Sequence, residues 1–141
     1  MNTYNRLPIT FARGEGAWLW DESGKRYLDA LAGIAVSTLG HSHPKLVRAL
    51  CEQIGSVIHT SNLYQIRNQE KLADKLALIS GMDNAFFCNS GCEANEAAIK
   101  LARLHGHRNG VDSPSIIVMD QAFHGRTLAT LSATGNRKVQ A

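Results

Sequence analysis

An α/β fold is predicted by three features of the sequence. Ala85-Phe-Phe-Cys88 is an apolar run too brief for a helix, and a Gly-containing turn, Asn89-Ser-Gly91, follows it. Ala94, Ala97, Ala98, Leu101 and Leu104 then recur at helical period. A second apolar run, Ser115-Ile-Ile-Val-Met119, reads as another buried strand. Residues 85–119 therefore spell strand, helix and strand, a unit whose crossover should be right-handed and whose strands should be parallel.

The remaining elements follow in order. Ala17-Trp-Leu-Trp20 and Lys25-Arg-Tyr-Leu28 are aromatic, β-rich runs joined by Asp21-Glu-Ser-Gly24, which predicts a hairpin with Gly at the strained turn position. Gly40-His-Ser-His-Pro44 breaks the chain. After it, Leu46, Val47, Leu50, Ile54, Val57 and Ile58 fall at helical spacing, so a helix over 44–58 is predicted, with Pro44 tolerated in its first turn. Leu72, Leu76 and Ile79 mark a second amphipathic helix ending at Ser80-Gly81, where Gly supplies a left-handed cap. Residues 106–114 read as a surface connection, and no internal repeat or low-complexity tract is present.

Composition excludes several classes. The chain has 141 residues, 44% hydrophobic and 19% charged, with a net charge of +3, which is ordinary for a globular domain and wrong for a disordered or collagen-like one. The apolar stretch from Leu28 to Leu39 is broken by Asp29, Gly33, Ser37 and Thr38, far short of the roughly 20 residues that span a bilayer. The densest basic cluster is Arg137-Lys138, too small for a nucleic-acid or membrane footprint. The first residues carry no export signal, and three cysteines, Cys51, Cys88 and Cys92, lack a disulfide framework spacing. A cytoplasmic protein is expected.

The candidate site begins at Asn89-Ser-Gly-Cys-Glu93. A helix N-terminus exposes unpaired N–H groups and roughly half a positive charge, so a turn of this kind can hold a phosphate with no basic side chain. Ser90 and Glu93 also have the spacing of a capping box, in which each side chain satisfies the other's amide. The two readings are compatible: the box would occupy the amides of Ser90 and Glu93 and leave those of Gly91 and Cys92 for a ligand. Further on, Asp120-Gln-Ala-Phe-His-Gly-Arg126 places an aromatic ring, an imidazole and a guanidinium after the second strand, at the sheet edge where ligands gather in α/β folds. An exposed Phe123 could stack on a planar ring, and Arg126 suits a carboxylate. Alternatively Phe123 is core, His124 a loop residue and Arg126 a solvated charge.

Three separated motifs, Ser90-Gly-Cys-Glu-Ala-Asn-Glu-Ala-Ala-Ile-Lys-Leu-Ala-Arg103, Phe123-His-Gly-Arg126 and Gly40-His-Ser-His-Pro44, occur in an order and spacing that closely resembles the class III pyridoxal-phosphate-dependent aminotransferases. The resemblance runs over essentially the whole chain. It implies the pyridoxal-phosphate-dependent transferase fold type I, aspartate aminotransferase-like. Residues 1–58 would then be an N-terminal segment belonging to the small domain, and residues 59–141 the start of the large cofactor-binding domain. It also implies that the amides of Gly91 and Cys92 hold the phosphate of pyridoxal 5'-phosphate, that Phe123 stacks on the pyridine ring, and that Arg126 binds the substrate's α-carboxylate. Family members usually have Thr, Ala or Ser where Cys92 stands, a departure that leaves the backbone role intact. A homodimer with sites at the subunit boundary is implied as well.

Relatives act on ornithine, γ-aminobutyrate, succinylornithine or N-succinyl-diaminopimelate with the same cofactor machinery. The ornithine-specific ones resemble this sequence but carry Tyr where Ile34 falls, and an apolar residue there suits an acylated amino group, which has no ammonium charge to pair. The implied reaction moves the δ-amino group of N-acetyl-L-ornithine to 2-oxoglutarate, giving N-acetyl-L-glutamate semialdehyde and L-glutamate, a step of arginine biosynthesis.

Transamination also needs a lysine that holds the cofactor as a Schiff base and moves a proton. Lys25, Lys45, Lys71, Lys75, Lys100 and Lys138 do not match the family's position, nor is the acid that faces the pyridine nitrogen found here. The 141 residues are thus expected to be the N-terminal third of a longer enzyme, and inactive alone. Two other readings compete. A metal site drawn from His41 and His43, or from Cys88 and Cys92, lacks a second ligand pair at zinc-site spacing, so no metal is expected. A non-enzymatic phosphate-binding or dimerisation module is the other.

Overall fold

The computed structural model describes residues 4–140. The chain divides into two compact units, Met1–Ile66 and Arg67–Ala141.

The first unit contains a three-stranded antiparallel sheet in the order β1 (Phe11–Glu15), β2 (Trp18–Asp21) and β3 (Arg26–Leu28). The hairpin read from the sequence is β2 and β3, with Trp18 opposite Leu28 and Trp20 opposite Arg26. Its turn is organised by the Asp21 carboxylate, which accepts from the Ser23 and Lys25 amides at 2.9 Å each and from the Tyr27 hydroxyl at 2.9 Å. Gly24 adopts φ +82°, a conformation costly for a residue with a Cβ. Strand β1 was not expected: Phe11-Ala-Arg-Gly-Glu15 lacks alternation, and its pairing with β2 shifts register between Phe11 and Arg13. Guanidinium groups cover the hairpin's indoles, Arg13 lying 4.4 Å from the Trp20 ring and Arg26 4.3 Å from Trp18.

After the sheet comes a short element, α1 (Ala32–Ala35), that no periodicity announced. Its residues all have positive φ, namely Ala32 +49°, Gly33 +64°, Ile34 +65° and Ala35 +61°, so it is a left-handed turn. For the β-branched Ile34 this is a strained conformation. The Asp29 carboxylate holds the turn's entrance, accepting from the amides of Leu31 at 3.1 Å and Ala32 at 2.8 Å and contacting His41 Nε2 at 2.7 Å. Those amides, Ala32 foremost, and the His41 bond keep the Asp29 pKa below the usual carboxylate value. Helix α2 (Pro44–Ser56) follows with Pro44 in its first turn, close to the expected span.

The second unit begins with α3 (Arg67–Ser80), which ends where the sequence indicated. Helix α4 (Gly91–Arg108) begins directly at the Gly-containing turn. Short helices α5 (Leu128–Ser132) and α6 (Arg137–Gln140) come after the loop containing Phe123 and Arg126, and α5 packs on α4.

One expectation fails here. Residues 85–88 and 115–119 form no strand, neither with each other nor with other described residues. A parallel strand needs a neighbour to complete its ladder, and the only sheet among the described residues is the antiparallel one in the first unit. Phe86 and Ile117 are correspondingly exposed, at 71% and 95%. Among the described residues no aliphatic or aromatic core side chain is buried, and the accessible surface is 12567 Å². A compact folded monomer of this mass, 15.4 kDa, has about 7,200 Å². No described helix is long and apolar enough to cross a membrane.

Candidate active site

Ser90 is the N-cap of α4, extended at φ −154°, ψ 159°, and its hydroxyl oxygen accepts from the Glu93 amide at 3.2 Å. That is half of the predicted capping box. The other half differs: the Glu93 carboxylate accepts from the amide of Asn89 at 2.7 Å, one residue earlier than expected, and from the Asn89 side chain at 3.1 Å. The longer reach back past the cap leaves the Ser90 amide, though not its hydroxyl, outside the box. Among the described residues no acceptor meets the main-chain N–H of Ser90, Gly91 or Cys92. Three successive donors thus stand at the positive end of an 18-residue helix.

The loop over residues 123–127 lies against this turn. Gly91, Cys92, Asn95, Phe123 and Arg126 are among the residues lining one open cavity of about 590 Å³. Phe123 is exposed, and the Arg126 guanidinium carbon sits 5.7 Å from its ring centre. Helix α4 holds the loop from one side: Asn95 Nδ2 donates to the His124 carbonyl at 2.7 Å, and the Thr127 hydroxyl donates to Glu96. Gly125 has φ +135°, and a Cβ there would meet Cys92 Sγ at 2.5 Å and Thr130 Oγ1 at 2.6 Å. Only glycine allows loop and turn to approach this closely.

The four residues singled out from the sequence therefore share one concavity. Asn95, Glu96, Thr127, Thr130 and Thr134 were missed. Thr127 and Thr130 carried a readable signal, the three-residue spacing of a helix cap; Asn95 and Glu96 look like ordinary helix-surface residues in sequence. His41 and His43 lie in the first unit, His41 bonded to Asp29, and no group of three or more potential metal ligands occurs among the described residues.

Cys92 has an unusual environment. Its sulfur lies 3.5 Å from the Thr127 hydroxyl and 3.3 Å from that of Thr130. These hydroxyls, with the amides of Thr127 and Arg126, favour the thiolate and lower its pKa from 9.0 to about 7. Alkylation of cofactor-free protein by iodoacetamide, followed by peptide mass spectrometry, is expected to give a Cys92 rate that rises with pH around a midpoint near 7. A midpoint at the ordinary thiol value of about 8.5 would contradict this arrangement.

Residues 1–141 match the family described as aminotransferase class-III. The chain belongs to the class III aminotransferases. It is 68% identical over 141 residues to the acetylornithine aminotransferase of Nitrosomonas europaea, covering 100% of this chain and 36% of that protein. It is 58% identical over 139 residues to acetylornithine aminotransferase 1 of Bordetella parapertussis, covering 99% and 35%. The chain thus spans about a third of the length of the curated relatives it matches.

Among solved structures, it is similar to an N-acetylornithine aminotransferase from Stenotrophomonas maltophilia, with TM-score 0.78 and 40% identity over 86% of this chain and 34% of that one. It is also similar to the ornithine aminotransferase of Toxoplasma gondii, with TM-score 0.90 and 28% identity over 99% and 34%. The fold is accordingly that of the pyridoxal-phosphate-dependent transferases of fold type I, and class III aminotransferases use that cofactor.

Proposed function

We propose that this chain supplies the phosphate cradle, ring-stacking and carboxylate-binding parts of an acetylornithine aminotransferase. The observation that carries the reading is the meeting of unpaired amides, Phe123 and Arg126 at one cavity. The residues present fit pyridoxal phosphate. The Gly91 and Cys92 amides, at the start of α4, bind the phosphate dianion without a basic side chain. Phe123, exposed beside them, stacks on the pyridine ring, and the Arg126 guanidinium pairs with the α-carboxylate of the substrate. When bound, the cofactor supplies an electron sink that stabilises charge at the carbon bearing the transferred amine. What the chain's own residues contribute is position: phosphate, ring and carboxylate are fixed by three different groups, which orients the reacting carbon.

In the first unit Ile34 bears on substrate choice. An apolar side chain favours the acylated amine of N-acetyl-L-ornithine over the ammonium of free ornithine. The fold itself does not discriminate, since both acetylornithine and ornithine aminotransferases are among its structural relatives. The 68% identity to an acetylornithine aminotransferase supports the acylated donor, with 2-oxoglutarate as acceptor.

In this reading residues 1–58 belong to the small domain and residues 59–141 open the large one. The protein is a cytoplasmic homodimer, and the cofactor's lysine and the acid facing its pyridine nitrogen are supplied by a polypeptide of the relatives' full length. The test is steady-state kinetics of the full-length enzyme with acetylornithine, succinylornithine, ornithine and γ-aminobutyrate, each against 2-oxoglutarate. A ping-pong pattern with the highest kcat/KM for acetylornithine is expected, and Ile34→Tyr should shift preference toward free ornithine. A parent enzyme that prefers ornithine or γ-aminobutyrate would overturn the substrate assignment.

A further inference from the structure

The described residues bury almost nothing, yet four are buried, Pro114, Gly125, Thr130 and Thr134, and three of these lie at or beneath the loop over residues 123–127. Thr130 is 0% exposed and Thr134 3%. Two polar side chains are thus among the best-covered of the described residues, and both hydroxyls accept from main-chain amides of the loop. Thr134 Oγ1 accepts from the His124 amide at 3.1 Å and donates to the Thr130 carbonyl at 2.8 Å. Thr130 Oγ1 accepts from the Thr127 amide at 3.1 Å and lies 2.8 Å from the Thr127 hydroxyl. One hydroxyl therefore ties the loop just after Phe123, and the other ties it just after Arg126.

We propose that Thr130 and Thr134 are positioning residues, whose hydroxyls hold the loop in the conformation that presents Phe123 and Arg126 to the cavity. Neither threonine lines the cavity, so neither touches a ligand there. The proposal rests on the reading that Phe123 and Arg126 contact cofactor and substrate. Its physical basis is that the His124 amide is part-buried, and an N–H shielded from water and deprived of its acceptor costs more than a neutral hydrogen bond gains, so the loop must move to rehydrate it. Because Gly125 already packs against Cys92 and Thr130 with no space for a Cβ, that movement displaces the residues on either side of it.

The test uses the full-length holoenzyme and three variants: Thr134→Val, which keeps the volume and removes the hydroxyl, with Thr134→Ser and Thr130→Ser, which keep it. Cofactor affinity is read from the visible absorbance and circular dichroism of bound pyridoxal phosphate, and KM and kcat for the amino donor are measured beside the melting temperature. Thr134→Val is expected to weaken cofactor binding and raise the donor KM by about tenfold each, while both Ser variants stay within about twofold of the parent.

A folded Thr134→Val enzyme with parental cofactor affinity and KM would overturn the proposal, and so would a Ser variant as impaired as the Val one. Should Thr134→Val fail to fold, the Ser variants carry the test, and loss of binding in either overturns it. Phe123→Ala and Arg126→Ala separate the two levels. If neither control changes cofactor affinity or KM, the reading of the site itself is wrong; if both do and the threonine variants do not, only the threonine proposal falls.

Discussion

Replacing Arg126 with Ala in the full-length enzyme is expected to lower kcat/KM for the amino donor by roughly 10- to 100-fold, with most of the change in KM. A hydrogen bond to a charged group contributes about 1.5–3 kcal/mol, and a bidentate pair lies toward the upper end. Arg126→Lys should recover only part of the loss, because an ammonium cannot present the planar pair of donors. Arg126 also lies beside the Phe123 ring, so its removal takes away a cation–π contact and should loosen the cofactor slightly. Equal kcat and KM in mutant and parent would take Arg126 out of the substrate site.

The second large effect concerns residues 1–141 produced alone. Their accessible surface, 12567 Å² against about 7,200 Å² for a compact monomer of that mass, leaves an excess that includes Phe86, Leu101, Leu104 and Ile117. At about 25 cal/mol per Å² for its apolar part, such exposure strongly favours association or collapse without fixed packing. The isolated chain should therefore bind the dye ANS, show weak near-ultraviolet circular dichroism, and melt without a cooperative transition. A single sharp calorimetric transition in a monomer that binds no dye would contradict this.

What was legible in the sequence was local. The β2–β3 hairpin, α2, the end of α3 and the start of α4 all rest on interactions within a few residues, such as Asp21 with its own turn or Ser90 with Glu93. The site was legible for the same reason: its donors are consecutive amides at one helix end, and its ring and guanidinium lie three positions apart in one loop. The expected strands at 85–88 and 115–119 failed because a ladder is a property of two paired segments, and the apolar pattern of each run carries no information on whether another segment pairs with it. The supporting threonines were illegible because their burial depends on α4 folding back over the loop, some 30 residues away in sequence, as the bond from Asn95 to His124 illustrates. Strand β1 and the turn at Ala32–Ala35 carry no periodicity at all.

If Ile34 has the role proposed for it, that turn also constrains anyone who wishes to re-engineer donor preference. Position 34 sits at φ +65°, so every exchange made there changes two things at once, the side chain and the ease with which the main chain holds its shape. Glycine would relax the backbone, asparagine would be tolerated, and valine would keep the penalty. Libraries at this position will therefore mix altered selectivity with altered loop integrity, and the two can be separated only by pairing each substitution with a measurement made in the absence of donor.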